Sequence, residues 1–392
     1  MKNYKYLIVG GGMTADKAVR GIRELDADGT LAVIGREPDP PYRRPMLSKG
    51  LWKGGPLEKI WRKTDTQNAD LLLGRQVTEL DVRNRRVRDD QGEQYAYEKL
   101  LLATGGTPER LSIGGDSIIY FRTLPDYIQL RALADQANRR FAVIGGGFIG
   151  SELAAALTMN GGKVTMIVRG DGIGSSAYPA DLANFLNDYY REKGVELLLK
   201  DTVTALKVHG EHFHLQTQAG RDLEVDGVVA GLGIRPNTEL AAAAGLTVED
   251  GVVVNDQLQT SVPDVYASGD VAAFMHPALG RRVRVEHEDN ALEMGKLAGR
   301  NMAGAGETYS HVPYFYSDLF EFGYEAVGDL NSKLETVADW QEPFRKGVVY
   351  YLEGGRVRGV LLWNVWKKVK EASALLAEPG PFKPAELKGR IQ

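Results

Sequence analysis

Phe141-Ala142-Val143-Ile144-Gly145-Gly146-Gly147-Phe148-Ile149-Gly150-Ser151-Glu152 is the stretch on which the reading of this chain turns. Its short apolar run, rich in β-branched residues, predicts a parallel strand buried on both faces. The run leads into Gly145-x-Gly147-x-x-Gly150 and then into Leu153-Ala154-Ala155-Ala156-Leu157, which has helix composition. Strand, glycine turn and helix in that order predict a dinucleotide site. The glycines permit a tight turn, close approach of a pyrophosphate and close helix packing, and the helix N-terminus favours the negative charge.

The same arrangement occurs near the N-terminus. Tyr6-Leu7-Ile8-Val9 runs into Gly10-Gly11-Gly12-Met13-Thr14-Ala15, with Ala15 in the third small position. Two such units predict two dinucleotides, held so that one passes electrons to the other; the alternative is one true site and one degenerate helix turn. After the first turn, Ala18 to Leu25 reads as a helix and Leu31 to Gly35 as the next parallel strand. Glu37 follows at about the spacing of 20 residues at which a carboxylate accepts both ribose hydroxyls; the plainer alternative is an exposed loop carboxylate. In the second unit the corresponding strand, Lys163 to Val168, ends in Val168-Arg169 with no acid. Val168 cannot accept ribose bonds, whereas Arg169 offers a planar cation suited to a 2′-phosphate. No second basic residue follows in Gly170-Asp171-Gly172-Ile173, and Asp171 would restore some preference for NADH.

A chain of 392 residues is long enough for two or three domains with their own cores. The net charge of −4 argues against a general nucleic-acid binder. There is no cysteine, which excludes a disulfide framework, thiolate metal sites and an internal dithiol relay of the glutathione- or thioredoxin-reductase kind. No apolar run approaches the roughly 20 residues of a spanning helix. The first strand begins almost at once, so no signal or transit peptide is expected and a cytoplasmic location is. The basic run Arg83 to Arg88 reads as a solvated hairpin without interleaved aromatics. His209, His212 and His214 read as an exposed hairpin, and no metal site is expected there.

Several longer motifs make the reading more specific. Pro41-Tyr42-Arg43-Arg44-Pro45-Met46-Leu47-Ser48-Lys49 resembles a PY-x-RP-x-LSK signature, and Leu100-Leu101-Leu102-Ala103-Thr104-Gly105-Gly106 contains LLATG. Thr260 to Asp270 matches TS-x-P-x-VYA-x-GD, and Val285-Glu286-His287 with Ala291 matches VEH-x-x-x-A. Gly323 to Gly328 and Leu361 to Trp366 add C-terminal matches. Together these resemble, over nearly the whole chain, the ferredoxin-reductase-like FAD/NAD(P)H two-dinucleotide oxidoreductases, and within them the members similar to apoptosis-inducing factor.

The resemblance implies roles for particular residues. Arg44 would lie by the FAD and Lys49 beside the flavin. Thr104 and Gly105 would sit where the chain passes towards the second domain, and Asp270 would bond the FAD ribitol. Glu286 and His287 would open a helix whose backbone donors face the flavin pyrimidine; His287 either contacts the cofactor or simply caps the helix. Phe148 would cover the flavin where the nicotinamide enters, with Glu152 one helical turn later pairing with Lys49. The alternatives are a core phenylalanine and a surface carboxylate. Tyr316 stands where the family usually has the Trp that flanks the flavin, which is expected to alter flavin exposure. Animal members carry a long polar insertion before the last hairpin and a targeting segment. Neither is seen here, so their mitochondrial and cell-death roles are not expected to follow.

The expected fold is α/β, with two Rossmann-like dinucleotide-binding domains and a C-terminal α+β domain. The boundaries read as 1–113 with 233–312 for FAD, 114–232 for NAD(P)H and 313–392 for the last. The expected reaction is hydride transfer from NADH or NADPH to flavin, then electron delivery to ferredoxin, rubredoxin, a quinone or another small oxidant. The other reading is a slow redox sensor whose NAD(P)H-bound state controls dimerisation or partner binding. A monomer or a homodimer is expected. The resemblance implies NADH and Val168-Arg169 points to NADPH, so both nucleotides are expected to work, with a slight lean to NADPH.

Overall fold

A computed structural model describes residues 1–391. The chain divides into two compact units. One comprises Met1–Arg43, Leu57–Thr107 and Arg235–Pro313; the other comprises Arg44–Pro56, Pro108–Ile234 and Tyr314–Gln392.

The first unit is built on a seven-stranded sheet. Strand β1 (Lys2–Val9) leads into helix α1 (Met13–Arg23), then β2 (Leu31–Gly35) and β3 (Asp70–Leu73). β1 pairs in parallel with β2 and with Gln94–Leu102, and β2 with β3. All five residues of β2 are buried, as expected of a strand covered on both faces. The stretch from Asp70 to Tyr97 alternates as a meander would, but Asp70–Leu73 belongs to the parallel core. Gly74, at φ 65, ends that strand, and the antiparallel meander begins only at Val77. Helix α1 starts at the glycine turn itself, earlier than its composition suggests, and buries Ala15, Ala18, Val19 and Ile22 at helical spacing. It packs on helix Glu288–Met302 with backbones nearly touching: a Cβ on Gly295 would lie 2.4 Å from Thr14 O, and one on Gly299 2.1 Å from Ala18 O.

The second unit repeats the pattern. Strand β4 (Arg140–Ile144) enters helix α2 (Phe148–Met159), followed by β5 (Lys163–Val168) and β6 (Glu196–Leu199). The five-stranded sheet is parallel, in the order β6, β5, β4, Gly227–Ala230, Ile119–Tyr120. A separate five-stranded antiparallel sheet runs from Tyr314 to Trp363, with its last hairpin turning at Glu353↔Arg356. His209 and His212 face each other across the hairpin Val203–Thr217, and His212 Nδ1 lies 2.8 Å from Asp226 Oδ1. Among the described residues no helix is long and apolar enough to cross a membrane.

Candidate active site

Each glycine turn has a division of labour that an added Cβ exposes. Gly10, at φ 124, approaches Ala103 O so closely that a Cβ would lie 2.0 Å from it; Gly145, at φ 109, stands 2.3 Å from Gly231 O on the same test. Only glycine tolerates both that backbone and that contact. A Cβ on Gly150 would meet Gly145 O at 2.0 Å, so its absence lets α2 begin directly on the turn. Ala15 fills the equivalent place in α1 and is fully buried. Over Gly12 and Gly147, by contrast, a Cβ would meet nothing within 4 Å. These two positions cap α1 and α2, and the open space above them, next to helix N-termini, fits a pyrophosphate.

The remaining residues of the first unit surround its turn. Glu37 follows β2 and accepts a hydrogen bond from Tyr42 Oη at 2.5 Å. Thr104 and Gly105 are clamped by Asn237, whose backbone N donates to Gly105 O at 2.9 Å and whose Nδ2 donates to Thr104 O at 2.8 Å. Asp270 lies in the short 3₁₀ turn Gly269–Val271, pressed against α1: a Cβ on Gly269 would be 2.3 Å from Thr14 Oγ1. Just before it, Ser268 Oγ is buried with no hydrogen-bond partner, a polar atom that a bound ligand could satisfy. Arg284 connects two of the predicted residues, donating to Asp270 O at 3.2 Å and pairing with Glu286 at 2.5 Å. His287 caps helix Glu288–Met302, and desolvation pushes its imidazole down to about 4, so it is neutral at pH 7. These donors and the open turn fit an adenine dinucleotide such as FAD.

In the second unit a carboxylate is the centre of a small polar cluster. Glu152, on the second turn of α2, is buried, with a side chain 2 % exposed. Lys49 Nζ lies 2.7 Å from its Oε1, Ser48 Oγ donates to Oε2 at 2.6 Å, and Ser317 Oγ donates to Oε1. Three donors on one buried carboxylate compensate the desolvation of its charge. Burial above all, with the Glu152 charge as a further cause, holds the Tyr178, Tyr190 and Tyr324 phenols well above their ordinary range. Lys49 Nζ also stands 5.2 Å from the centre of the Tyr316 ring, close enough for a cation–π contact. The segment that carries Lys49 is pinned in place: Trp52 Nε1 donates to Leu47 O at 2.8 Å, Trp52 meets Tyr127 edge-on, and Arg44 donates to Arg122 O at 3.0 Å.

Phe148 opens α2, is 37 % exposed and packs at 5.4 Å against Phe315. It is therefore not a core residue. Arg169 is exposed at the end of β5. The structure thus brings Lys49, Glu152 and Tyr316 together, with Phe148 at the start of the helix that bears Glu152, and places Arg169 just past the C-terminal end of β5, the end at which Gly145 N donates to Ile167 O. Sequence reasoning missed Ser48, Ser317, Asn237 and Arg284. Ser48 lies inside the LSK motif and Ser317 follows Tyr316, so both were adjacent to a signal that had been read for its neighbours.

Comparison with known proteins agrees with this geometry. Residues 4–295 match the family described as pyridine nucleotide-disulphide oxidoreductase. Residues 298–343 and 338–378 match the apoptosis-inducing factor, mitochondrion-associated, C-terminal family. The chain is 32% identical to the anthranilate 1,2-dioxygenase system ferredoxin–NAD(+) reductase component of Burkholderia cepacia, over 97% of this chain and 96% of that protein. It is 33% identical to monodehydroascorbate reductase 3 of Arabidopsis thaliana, over 97% and 94% of the two chains. Apoptosis-inducing factor 1 of Dictyostelium discoideum is 31% identical, over 96% of this chain and 79% of its own length. Among solved structures, putidaredoxin reductase in its covalent complex with putidaredoxin matches with a TM-score of 0.91 at 30% identity, covering 98% of this chain and 95% of that one. The chain belongs to the pyridine nucleotide-disulphide oxidoreductase family, as a ferredoxin-reductase-like member with a C-terminal segment of the apoptosis-inducing-factor type and no cysteine.

Proposed function

We infer that this chain is an FAD-dependent NAD(P)H oxidoreductase that delivers electrons to an external acceptor: ferredoxin, rubredoxin, a quinone or another small oxidant. The observation that carries the reading is the occurrence of two glycine turns of the same geometry, one in each unit, in a chain without a cysteine pair. Two dinucleotides and no internal dithiol leave the acceptor outside the chain. FAD, when bound, supplies a hydride acceptor and a store for two electrons.

The protein's part is to bind, orient and exclude water. On the family resemblance, Arg44, Glu37, Thr104, Gly105, Asp270, Glu286 and His287 hold the FAD, and Lys49 stands beside its flavin. Glu152, fixed by Ser48 and Ser317, holds the Lys49 ammonium in one orientation. With FAD bound, the Lys49 charge would favour an electron-rich ring. Phe148 would cover the flavin where the nicotinamide would enter, and Tyr316 would flank it. The proposal includes the domain limits 1–113 with 233–312, 114–232 and 313–392, a cytoplasmic location, and a monomer or homodimer.

The match of the C-terminal residues to the apoptosis-inducing-factor family supports a second reading, a slow redox sensor. Anaerobic stopped-flow reduction by NADH and NADPH, followed by reoxidation against a panel of acceptors, separates the two. Rapid turnover with one acceptor supports the reductase. Slow reoxidation by all of them, with ligand-dependent dimerisation, supports the sensor. A protein that takes up no FAD refutes both.

A further inference from the structure

The two glycine-turn units share one backbone register, so the residues that follow their second and third strands correspond position by position. In the first unit Gly10 N donates to Ile34 O at 2.8 Å, Gly74 N to Glu37 O at 3.1 Å and Arg75 N to Gly35 O at 2.9 Å. In the second, Gly145 N donates to Ile167 O at 2.9 Å, Lys200 N to Gly170 O at 3.1 Å and Asp201 N to Val168 O at 3.1 Å. Gly35 faces Leu73 across the β2–β3 pair as Val168 faces Leu199 across β5–β6. Gly170 therefore occupies the place of Glu37, and Lys200 the place of Gly74. An acid beside a glycine has become a glycine beside a lysine.

The backbone at these positions makes the exchange informative. Gly74 has φ 65 and Lys200 has φ 55. That conformation is free for glycine and costs a residue with a Cβ, so the lysine side chain is kept against local preference. A Cβ on Gly74 would meet nothing within 4 Å, so the position offers a side chain open space. Asp171, the only carboxylate in Gly170 to Ile173, is engaged: Lys200 Nζ lies 2.8 Å from its Oδ1. Both partners are largely exposed, 75% and 78%, so the pair is weak enough to be exchanged for a better anion. Arg169 makes no ion pair among the described residues.

We propose that Lys200, together with Arg169, takes the 2′-phosphate of an adenine dinucleotide, making Lys200 a residue that sets preference for NADPH over NADH. The inference rests on the reading of 114–232 as the nicotinamide-nucleotide unit. A carboxylate at the Glu37 position accepts ribose hydroxyls and repels a phosphate. Gly170 does neither, and Lys200 and Arg169 bring two positive charges to the loop. Arg169 supplies a planar pair of donors and Lys200 a point charge. In the absence of phosphate, Asp171 keeps Lys200 over the Gly170–Asp171 segment.

The test is equilibrium binding of 2′,5′-ADP and of 5′-AMP to the FAD-loaded protein by calorimetry. These probes differ only in the 2′-phosphate. The wild type is expected to bind 2′,5′-ADP about tenfold more tightly, a preference that shrinks with added salt. Lys200→Gln should cut that ratio about fivefold while leaving 5′-AMP affinity within about twofold, and Lys200→Arg should restore it. Lys200→Gly relieves the backbone cost, so it should melt no lower than wild type yet lose the preference, an outcome that a merely structural lysine would not give. Equal binding of the two probes by wild type, or an unchanged ratio in Lys200→Gln, overturns the proposal alone if NADH or NADPH still reduces the flavin. Failure to bind either probe, with no reduction by either nicotinamide, overturns the reading of the unit as well.

Discussion

Replacing Glu152 by alanine removes the acceptor of three donors at once. Its carboxylate is 2 % exposed and takes Lys49 at 2.7 Å, Ser48 at 2.6 Å and Ser317. The Lys49 side chain, 14 % exposed, is then left without its counter-charge. Breaking a buried pair from one side costs about 3–5 kcal/mol, and two serine hydroxyls lose a charged acceptor besides, so Glu152→Ala should fall at the upper end of that range in denaturant unfolding. Lys49→Ala leaves Glu152 with both serine donors, so its loss should be the smaller of the two. The same asymmetry should appear in function. Anaerobic stopped-flow should show slower flavin reduction in both single variants, since one removes the cation and the other its orientation. The double variant should be less impaired than the sum of the singles, with a coupling energy of roughly 0.5–3 kcal/mol. Single variants that melt and reduce like wild type would refute the argument, and strict additivity would refute the pairing on which it rests.

Three further outcomes follow from other parts of the molecule. Asp270→Ala should weaken FAD retention by about 1.5–3 kcal/mol, because a buried hydroxyl loses a charged acceptor, as read by fluorescence of released flavin. Arg169→Ala should lower kcat/KM more for NADPH than for NADH, by about 1.5–3 kcal/mol if one charge-assisted phosphate bond is lost; equal losses would show that Arg169 does not read the phosphate. The depressed His287 imidazole favours the folded state when neutral. Its contribution is complete above pH 6.5 and falls as the pH drops towards about 4, by about 3 kcal/mol in all, so apoprotein stability should decline over that window and His287→Gln should flatten the decline.

How much of this was legible in the sequence depends on the distance over which each feature is written. Each glycine turn lies within one strand, one turn and one helix, and the glycines that permit its positive φ follow directly on the apolar strand, although the carbonyls they approach, Ala103 O and Gly231 O, come from distant segments. Val9-Gly10 and Ile144-Gly145 therefore announced the two nucleotide units without help from the rest of the molecule. The Pro41–Lys49 and Thr260–Asp270 motifs likewise carried their family resemblance in contiguous residues. Sequence pattern does not separate the parallel strand Asp70–Leu73 from the antiparallel meander after it, because alternation is the same whichever way the partner strand runs.

The tertiary structure decided what local pattern cannot carry. Ser48 and Ser317 meet Glu152 from 104 and 165 residues away, and nothing in the spacing of either serine marks it as a partner of that carboxylate. Lys200 follows β6 as Arg169 follows β5, and only the parallel pairing of β5 with β6 brings it over Gly170 and Asp171. The sequence by itself determined the two turns and the kind of ligand they admit, because backbone conformation is set by residues adjacent in the chain. The charges gathered around them, Lys49 against Glu152 and Lys200 against Asp171, meet across segments distant in the chain, so their arrangement was left for the fold to decide.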